Sequence, residues 1–436
     1  MERITVLGAG LAGCEAAMKI ASMGVAVDLY EMKPTKRSAA HSSDLFAELV
    51  CSNSLKAKRI ESAAGLLKEE MRRLGSICIQ SAYKCEVAAG GALAVDRELF
   101  SKYIDNAVRE HPLITLHNEC VKNIPLSEVV VVATGPLTDG ELAKDIELVC
   151  GGNSLSFYDA AAPIVTAESI DMDIAFRASR YGKGTDDYIN CPFNKEEYTA
   201  FYNELINAEL AKVNEFDKPF KVYEGCMPIE ALAKRGEDSI RFGPMKPVGL
   251  INPKTEHRPW AAVQLRSENS DGTLYNLVGF QTNLKFGEQK RVFSMIPGLA
   301  NAEFVRYGVM HRNSFIDSPR VLSKGLNMID RPNVFFAGQI SGVEGYMESA
   351  ASGIMCGINA VRFLRGEDAL ILPEFTMMGA LFNYITDGTV SDFQPMGANF
   401  GVLPPLSVHI RDKRERYAAL SERSIKWFDE NIKVGN

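Results

Sequence analysis

The fold is decided by residues 3–31, which read RITVLGAGLAGCEAAMKIASMGVAVDLYE. Residues 3–7 and 25–31 are short apolar runs that predict two buried strands. Residues 14–23 between them are rich in Ala and Met and predict a helix, which Gly24 ends. A strand, a helix and a second strand in this order predict a βαβ unit and therefore a parallel α/β sheet.

The turn between the first strand and the helix has the glycine spacing of the dinucleotide fingerprint. Such glycines permit a tight turn, close approach of the backbone to a pyrophosphate, and close packing of the helix on the strand. The helix N-terminus that follows favours the phosphate charge. We therefore predict that a dinucleotide contacts Gly8, Ala9, Gly10, Leu11, Ala12 and Gly13. Glu31 ends the second strand about 20 residues further on, where a carboxylate can bind a ribose hydroxyl.

The choice between NAD and FAD depends on two later segments, because the fingerprint itself fits either. Residues 130–135 read VVVATG and residues 335–342 read FFAGQISG. Both resemble segments of FAD-dependent two-domain flavoproteins, although each taken singly also fits a buried strand ended by glycine. All three segments in this order favour FAD, with contacts predicted at Gly338, Gln339 and Gly342. We expect these glycines to let backbone N–H groups face the flavin and its phosphates.

The apolar character typical of a parallel sheet is lost near residue 155 and returns near residue 333. A helix is predicted at 196–213, and strands are predicted at 222–226, 240–243, 261–266 and 274–281. The sequence therefore predicts an α/β fold whose Rossmann-type FAD-binding domain is split in sequence. Its two segments are 1–155 and 325–436, and an inserted α+β domain occupies 156–324.

The 436 residues carry 48 Lys and Arg against 55 Asp and Glu, a net charge of −7. This balance argues against binding nucleic acid by bulk charge but permits a local basic patch. The most apolar short run, residues 129–133, is far below the roughly 20 residues that span a bilayer, so we predict no membrane contact. The chain enters the glycine turn without an export signal, which predicts a cytoplasmic location.

Nine cysteines are scattered with no CxxC pair and no metal-ligand spacing. We therefore expect free thiols in a reducing compartment and no metal site. Lys285, Lys290 and Arg291 form a basic group that could contact phosphate or flavin. An ordinary solvated surface accounts for any one of these three residues more simply.

Five segments resemble one protein family, and together they run through nearly the whole chain. They are ELVCSNSLK at 48–56, EGCMPIE at 224–230, GFQTNL at 279–284, RYGVMHRN at 306–313 and GVEGYMES at 342–349. The family they resemble is that of the folate- and FAD-dependent tRNA (uracil-5-)-methyltransferases. The last two segments are shared with larger flavoenzymes that modify tRNA wobble uridine, so the two cysteine segments carry the distinction.

The resemblance implies that Cys226 is a catalytic nucleophile and that Cys51 is a second catalytic cysteine. C5 of uracil is a poor nucleophile, and a thiolate that adds to C6 makes C5 reactive. The short polar residues Ser52, Asn53 and Ser54 are typical of helix caps, and a helix N-terminus there would lower the pKa of the Cys51 thiol. The family suggests that Cys51 either protects the reactive flavin or assists proton removal.

The resemblance also implies the cofactors and partners. The carbon donor is 5,10-methylenetetrahydrofolate, reduced FAD supplies electrons, and NAD(P)H reduces the FAD. The RNA partner is tRNA, methylated at a uridine of its T-loop; no separate folate motif is recognisable in the sequence. Three alternatives stay open at this point: the same chemistry on ribosomal RNA, a flavin oxidoreductase that acts on small molecules, and a non-catalytic flavin-bearing RNA chaperone.

Overall fold

The computed structural model describes residues 2–38, 40–152, 154–160, 162–182, 186–211, 227–308, 310–390 and 393–432. Cys226 and the strand predicted at 222–226 lie outside the described residues.

The described strands are β1 Arg3–Leu7, β2 Ala26–Glu31, β3 Ser54–Ala57, β4 Glu86–Val87, β5 Ala92–Val95, β6 Ile114–Asn118, β7 Val130–Val132, β8 Ser154–Ala160, β9 Ile164–Thr166, β10 Phe176–Arg177, β11 Tyr188–Phe193, β12 Ala261–Ser267, β13 Leu274–Leu277, β14 Phe304–Arg306, β15 Met310–Ile316 and β16 Val334–Phe336. The described helices are α1 Leu11–Ser22, α2 Ala63–Arg73, α3 Ile77–Lys84, α4 Arg97–Arg109, α5 Gly140–Val149, α6 Lys195–Asn207, α7 Ile229–Ala233, α8 Glu237–Arg241, α9 Phe286–Phe293, α10 Ser318–Val321, α11 Tyr346–Leu364, α12 Met377–Ile385 and α13 Lys413–Asn431.

A parallel sheet with the strand order β16-β7-β1-β2-β6 forms the centre of the molecule. Val6 of β1 lies beside Leu29 on one side and beside Val131 on the other, and all three side chains are fully buried. Burial on both faces explains why these strands are continuously apolar rather than alternating. The sheet confirms the predicted α/β class, and it brings the carboxyl ends of β1, β2 and β7 to one edge.

Helices α1 and α11 pack backbone to backbone over this sheet. A Cβ atom on Gly353 would lie 2.2 Å from the carbonyl oxygen of Ala12, and one on Gly357 would lie 2.9 Å from that of Ala16. Glycine at these two positions therefore sets the spacing of the two helices. Because of this close packing, the loop that precedes α11 lies beside the glycine turn that precedes α1.

A second sheet is antiparallel and has the strand order β10-β11-β12-β13-β9-β14. Its core packs aromatic side chains such as Phe201, Phe280 and Phe293, and the buried members of this core lie between Val165 and Ala302. The pair β8 and β15 and the small sheet β3-β5-β4 complete the described strands.

Two sequence predictions for this region need correction. Residues 237–241 form helix α8 instead of contributing to a strand at 240–243, because two acidic residues after Gly236 favour a helix N-terminus. Arg241 of α8 then stacks on Trp260, with 3.8 Å from its guanidinium carbon to the ring centroid. Helix α6 ends at Asn207 rather than extending to 213, because the backbone at 209–211 pairs with 283–285.

In the described part of the chain, no helix combines the length and the apolar character needed to cross a membrane.

Candidate functional site

The glycine turn after β1 is built around two positions that cannot carry a side chain. Gly8 has φ +95°, and a Cβ atom on it would lie 2.6 Å from the carbonyl oxygen of Ala133 at the end of β7. A Cβ atom on Gly13 would lie 1.8 Å from the carbonyl oxygen of Gly8. These contacts give the tight turn and the close packing of helix on strand that the fingerprint predicts.

Gly10, the remaining glycine of the turn, is not crowded by neighbouring residues. No atom lies within 4 Å of a Cβ atom built on Gly10, which is the N-cap of α1. The first turn of α1 contains no acidic side chain, and no side chain caps it with a hydrogen bond. An uncovered helix N-terminus of this kind is suited to a phosphate group.

Glu31 is fixed beside this turn by two backbone bonds. The N–H of Ala9 donates to Oε2 at 2.8 Å, and the N–H of Lys33 donates to Oε1 at 3.0 Å. The side chain is buried, yet each carboxylate oxygen keeps a second lone pair for another donor. A buried, oriented carboxylate at the end of β2 fits the hydroxyl groups of a ribose.

A cavity of about 290 Å³ opens at the edge of the sheet where β1, β2 and β7 end. Its lining contains Gly8 and Glu31, which the sequence identified, together with Met32, His41 and Thr138, which it did not. Thr138 lies three residues after the VVVATG segment at 130–135, and this segment is the nearest sequence signal to it. The open helix terminus, the anchored carboxylate and this cavity fit a dinucleotide such as FAD.

The loop that precedes α11 contains the later glycines. Gly338 and Gly342 have φ values of +85° and +82°, and a Cβ atom on Gly342 would lie 2.4 Å from the ring of Phe393. The N–H of Gly338 donates to Oγ of Ser352 at 2.7 Å, and that of Gly342 donates to the carbonyl oxygen of Gln339 at 2.9 Å. The two glycine N–H groups are therefore already bonded, and a cofactor would have to meet N–H groups of neighbouring residues.

Cys51 lies in an extended loop that Tyr346 holds against the start of α11. The Tyr346 hydroxyl accepts hydrogen bonds from the N–H groups of Cys51 at 2.6 Å and of Ser52 at 3.2 Å. Burial raises the pKa of Tyr346 well above its usual range, so the hydroxyl keeps its proton. This pair joins two of the segments that carry the family resemblance.

Arginine side chains hold the carbonyl and polar groups of the same loop. Arg97 of α4 donates to the carbonyl oxygen of Leu49 at 2.7 Å, and Arg306 of β14 donates to that of Val50. Arg266 of β12 donates to Oγ of Ser52 at 2.7 Å and to Oδ1 of Asn53 at 2.8 Å. The antiparallel sheet therefore contributes directly to the position of the Cys51 loop.

The electrostatic surroundings of Cys51 differ from the expected ones. The chain enters strand β3 at Ser54, so no helix N-terminus lies at the cysteine. Arg97 and Arg306 interact electrostatically with the Cys51 sulfur instead. Guanidinium groups stabilise a thiolate as a helix terminus does, and burial beside Arg97 lowers the pKa of Arg306. Glu268 forms an ion pair with Arg97, the first of these two arginines.

Cys226 lies outside the described residues, but the helix that follows it is described. The N–H of Ile229 donates to the carbonyl oxygen of Gln281 at 2.7 Å. The buried carboxylate of Glu230 accepts hydrogen bonds from Oγ1 of Thr282 and from the N–H of Asn283, both at 2.8 Å. Two further segments of the resemblance, 224–230 and 279–284, are therefore in direct contact through their described residues.

Most other described cysteines behave as core residues. Cys14, Cys78 and Cys356 are buried, and burial raises the pKa of each thiol. No group of three or more His, Cys, Asp or Glu side chains suited to a metal ion occurs among the described residues.

The basic group near α9 is largely ion-paired. Lys285 bonds Glu209, and Arg291 bonds both Glu204 and Glu288. These pairs balance the local charge, so phosphate attraction is weaker here than the sequence alone indicates.

The fold and the site define a class: a dinucleotide-binding flavoprotein fold with a thiol beside the second sheet. A solved structure of GidA from Aquifex aeolicus has this fold, with a TM-score of 0.69 and 17% sequence identity over 98% of this chain and 73% of that one. A second crystal form of the same protein gives the same TM-score.

Sequence comparison narrows the class to a family. The model of the glucose inhibited division protein A family matches residues 3–368. A relative from Acetivibrio thermocellus is 56% identical over 99% of both chains, and one from Desulforamulus reducens is 57% identical over 99% of this chain and 97% of its own. Both are named methylenetetrahydrofolate–tRNA-(uracil-5-)-methyltransferase TrmFO. The chain belongs to this family, which confirms the resemblance found in the sequence.

Proposed function

We propose that this chain methylates C5 of a uridine in the T-loop of tRNA, with 5,10-methylenetetrahydrofolate as carbon donor, reduced FAD as reductant and NAD(P)H to regenerate the reduced FAD. The observation that carries this function is the 56% identity to a methyltransferase of that name over 99% of both chains. The named relatives act on tRNA, which favours tRNA over ribosomal RNA as substrate. Because tRNA is the substrate, we also propose a cytoplasmic location.

The cofactor-binding residues are those of the glycine turn, Glu31 and the 338–342 loop. The turn offers backbone N–H groups to phosphate, and Glu31 offers carboxylate oxygens to a ribose. FAD bound there would supply the redox chemistry, taking electrons from NAD(P)H and providing them for methyl formation. We assign this domain to residues 1–155 and 325–436 and the insertion to 156–324, a division that the separate sheets and the core between Val165 and Ala302 support. Phe315, Ile316 and Leu322 near the end of the insertion pack in the cores of the first domain.

We assign the catalytic roles to two thiols, those of Cys226 and Cys51. The Cys226 thiolate adds to C6 of the uracil, and the electron pair of the C5–C6 bond becomes available at C5 for the new carbon bond. C5 bonds to the methylene carbon, and loss of the C5 proton with cleavage of the bond from that carbon to the folate nitrogen leaves an exocyclic methylene at C5. Hydride added to this methylene, which reduced FAD would supply, gives the methyl group, expels the Cys226 thiolate from C6 and restores the ring. Cys51, held beside Arg97 and Arg306, either protects the reactive carbon adduct of the flavin or assists removal of the C5 proton.

The test compares purified Cys226→Ala with the wild type and with Cys85→Ala, a half-buried thiol outside the site. All three proteins should be yellow, and only Cys226→Ala should lose methyl transfer from labelled methylenetetrahydrofolate to transcribed tRNA, read by nucleoside analysis. Full methylation by Cys226→Ala would remove the nucleophile assignment. Turnover of NAD(P)H that is independent of folate and RNA would instead favour a small-molecule oxidoreductase, and methylation of a ribosomal RNA fragment alone would change the substrate.

A further inference from the structure

Three aromatic rings form a near-parallel stack at the edge of the antiparallel sheet. The ring centroids of Phe286 and Tyr307 are 5.1 Å apart with an angle of 19° between the planes, and those of Tyr307 and Phe304 are 5.4 Å apart with an angle of 14°. Phe304 packs against the core of the sheet, whereas Phe286 at the other end is 56% exposed. We call these three residues the aromatic stack; at its outer end, the Phe286 ring is partly exposed to solvent.

A buried amide fixes the geometry of the aromatic stack. Gln289, one turn after Phe286, donates from Nε2 to the carbonyl oxygen of Gly308 at 2.8 Å. Its Oε1 accepts from the N–H of Gly308 at 2.7 Å, so both backbone groups next to Tyr307 are held. Helix α9 and the chain after β14 are therefore locked together, and the aromatic stack is preformed rather than assembled by a ligand.

The aromatic stack is directly connected to the Cys51 loop. Arg306 precedes Tyr307 and donates to the carbonyl oxygen of Val50, the neighbour of Cys51. The nearby cations Lys285 and Arg291 are ion-paired, whereas Lys290, four residues after Phe286 on α9, is exposed. The exposed end of the stack is therefore an apolar surface with one lysine near it. A surface of this kind favours a flat, uncharged ring over a phosphate.

We propose that the aromatic stack is a contact surface for the substrate RNA, on which an unpaired base next to the reacting uridine packs against Phe286. The inference rests on the proposed function and names where its RNA substrate is held. Base stacking on an aromatic side chain tolerates any sequence and stabilises single-stranded segments. A base that reacts must leave its stack, and a preformed aromatic surface compensates for the stacking that a neighbouring base loses.

The test measures binding of a labelled T-arm stem-loop RNA to full-length holoenzyme by fluorescence anisotropy at several salt concentrations. Phe286→Ala should weaken the RNA affinity by roughly 10-fold, within the range for one stacked base. Phe286→Tyr, which keeps an aromatic face, should bind as the wild type does. Phe242→Ala is the matched control, because Phe242 is 61% exposed at the end of α8, where its ring contacts Arg241.

Salt dependence supplies an independent readout. Loss of a stacking contact removes no phosphate contact, so the slope of log affinity against log salt should be the same for Phe286→Ala and the wild type. A changed slope, an unchanged affinity, or a loss confined to the KM for methylenetetrahydrofolate would each overturn the proposal. A shift in sedimentation toward a smaller species would also overturn it, by assigning Phe286 to contact between copies of the chain.

Wild-type methylation of tRNA separates this inference from the proposed function. If the wild type methylates tRNA and Phe286→Ala binds RNA normally, only the assignment of the aromatic stack fails. If the wild type does not methylate any RNA with folate present, the proposed function fails, whatever the Phe286 variants bind.

Discussion

The glycine turn at 8–13 and the Cys51 loop at 48–56 are both close to the central sheet, but they are held in opposite ways. The turn depends on missing side chains: Gly8 and Gly13 leave no room for a Cβ atom. The Cys51 loop depends on side chains that arrive from elsewhere, such as Arg97 and Tyr346, which lie 46 and 295 residues away in sequence. Gly13 is required by Gly8 in the same turn, a steric constraint that leaves a fixed spacing in the sequence. Ala133, which excludes a side chain at Gly8, and the donors to the Cys51 loop are remote in sequence, so their positions need the tertiary structure.

The largest effect that tests this comparison is expected from Gly13→Ala. Its Cβ atom would lie 1.8 Å from a backbone oxygen, so α1 must move away from β1. We expect loss of flavin absorbance and of soluble folded protein. Gly10→Ala is the matched control, because its Cβ atom meets no atom within 4 Å. It should keep the circular dichroism spectrum and melting temperature of the wild type while binding FAD more weakly. Equal damage from both changes would contradict a steric origin.

An intermediate effect is expected from Arg97→Met. The change leaves the buried carboxylate of Glu268 without its ion-pair partner and frees the carbonyl oxygen of Leu49. Removing one partner of a buried pair costs about 3–5 kcal/mol, measurable as the free energy of unfolding in urea. The double variant Arg97→Met with Glu268→Leu should recover most of this loss. Independent, additive effects of the two changes would show that the pair does not stabilise the loop.

The smallest effect concerns a second contact between remote segments. Glu70 of α2 accepts the N–H groups of Met377 and Met378 at 2.7 and 2.8 Å and a hydrogen bond from Ser424. Burial raises the pKa of this carboxyl from 4.5 to about 7, against the opposing effect of these bonds and of the nearby Arg73. The folded chain therefore holds a proton there that the unfolded chain releases.

This sign makes stability fall as the pH rises from about 4.5 to about 7, because the folded state binds more protons in that window. Glu70→Gln should remove this part of the pH dependence, since Gln does not titrate. Urea unfolding at a series of pH values gives the difference between the two proteins. Parallel stability curves for wild type and variant would show that the carboxyl titrates alike in both states.

The sequence predicted helices and strands correctly where hydrophobic periodicity or residue spacing indicated them. The predicted strands at 3–7 and 261–266 and the helix at 14–23 correspond closely to β1, β12 and α1. It failed at the strand predicted at 240–243, because residues 237–241 form helix α8, whose Ile240 is buried in the second core. So short a segment contains too few residues for its own periodicity to decide between helix and strand.

The sequence by itself determined the parallel sheet and the glycine turn, because buried strands must be apolar and close backbone contacts leave glycine as the only residue that fits. It also identified the family, through the five segments that resemble it. Only the tertiary structure decided what surrounds Cys51. The polar residues after it suggested a helix terminus, but the chain enters strand β3 there. Arg97 and Arg306 interact electrostatically with the thiol instead. The cationic environment of that thiol arises from charges brought together by folding, and charge proximity in space has no fixed spacing in sequence.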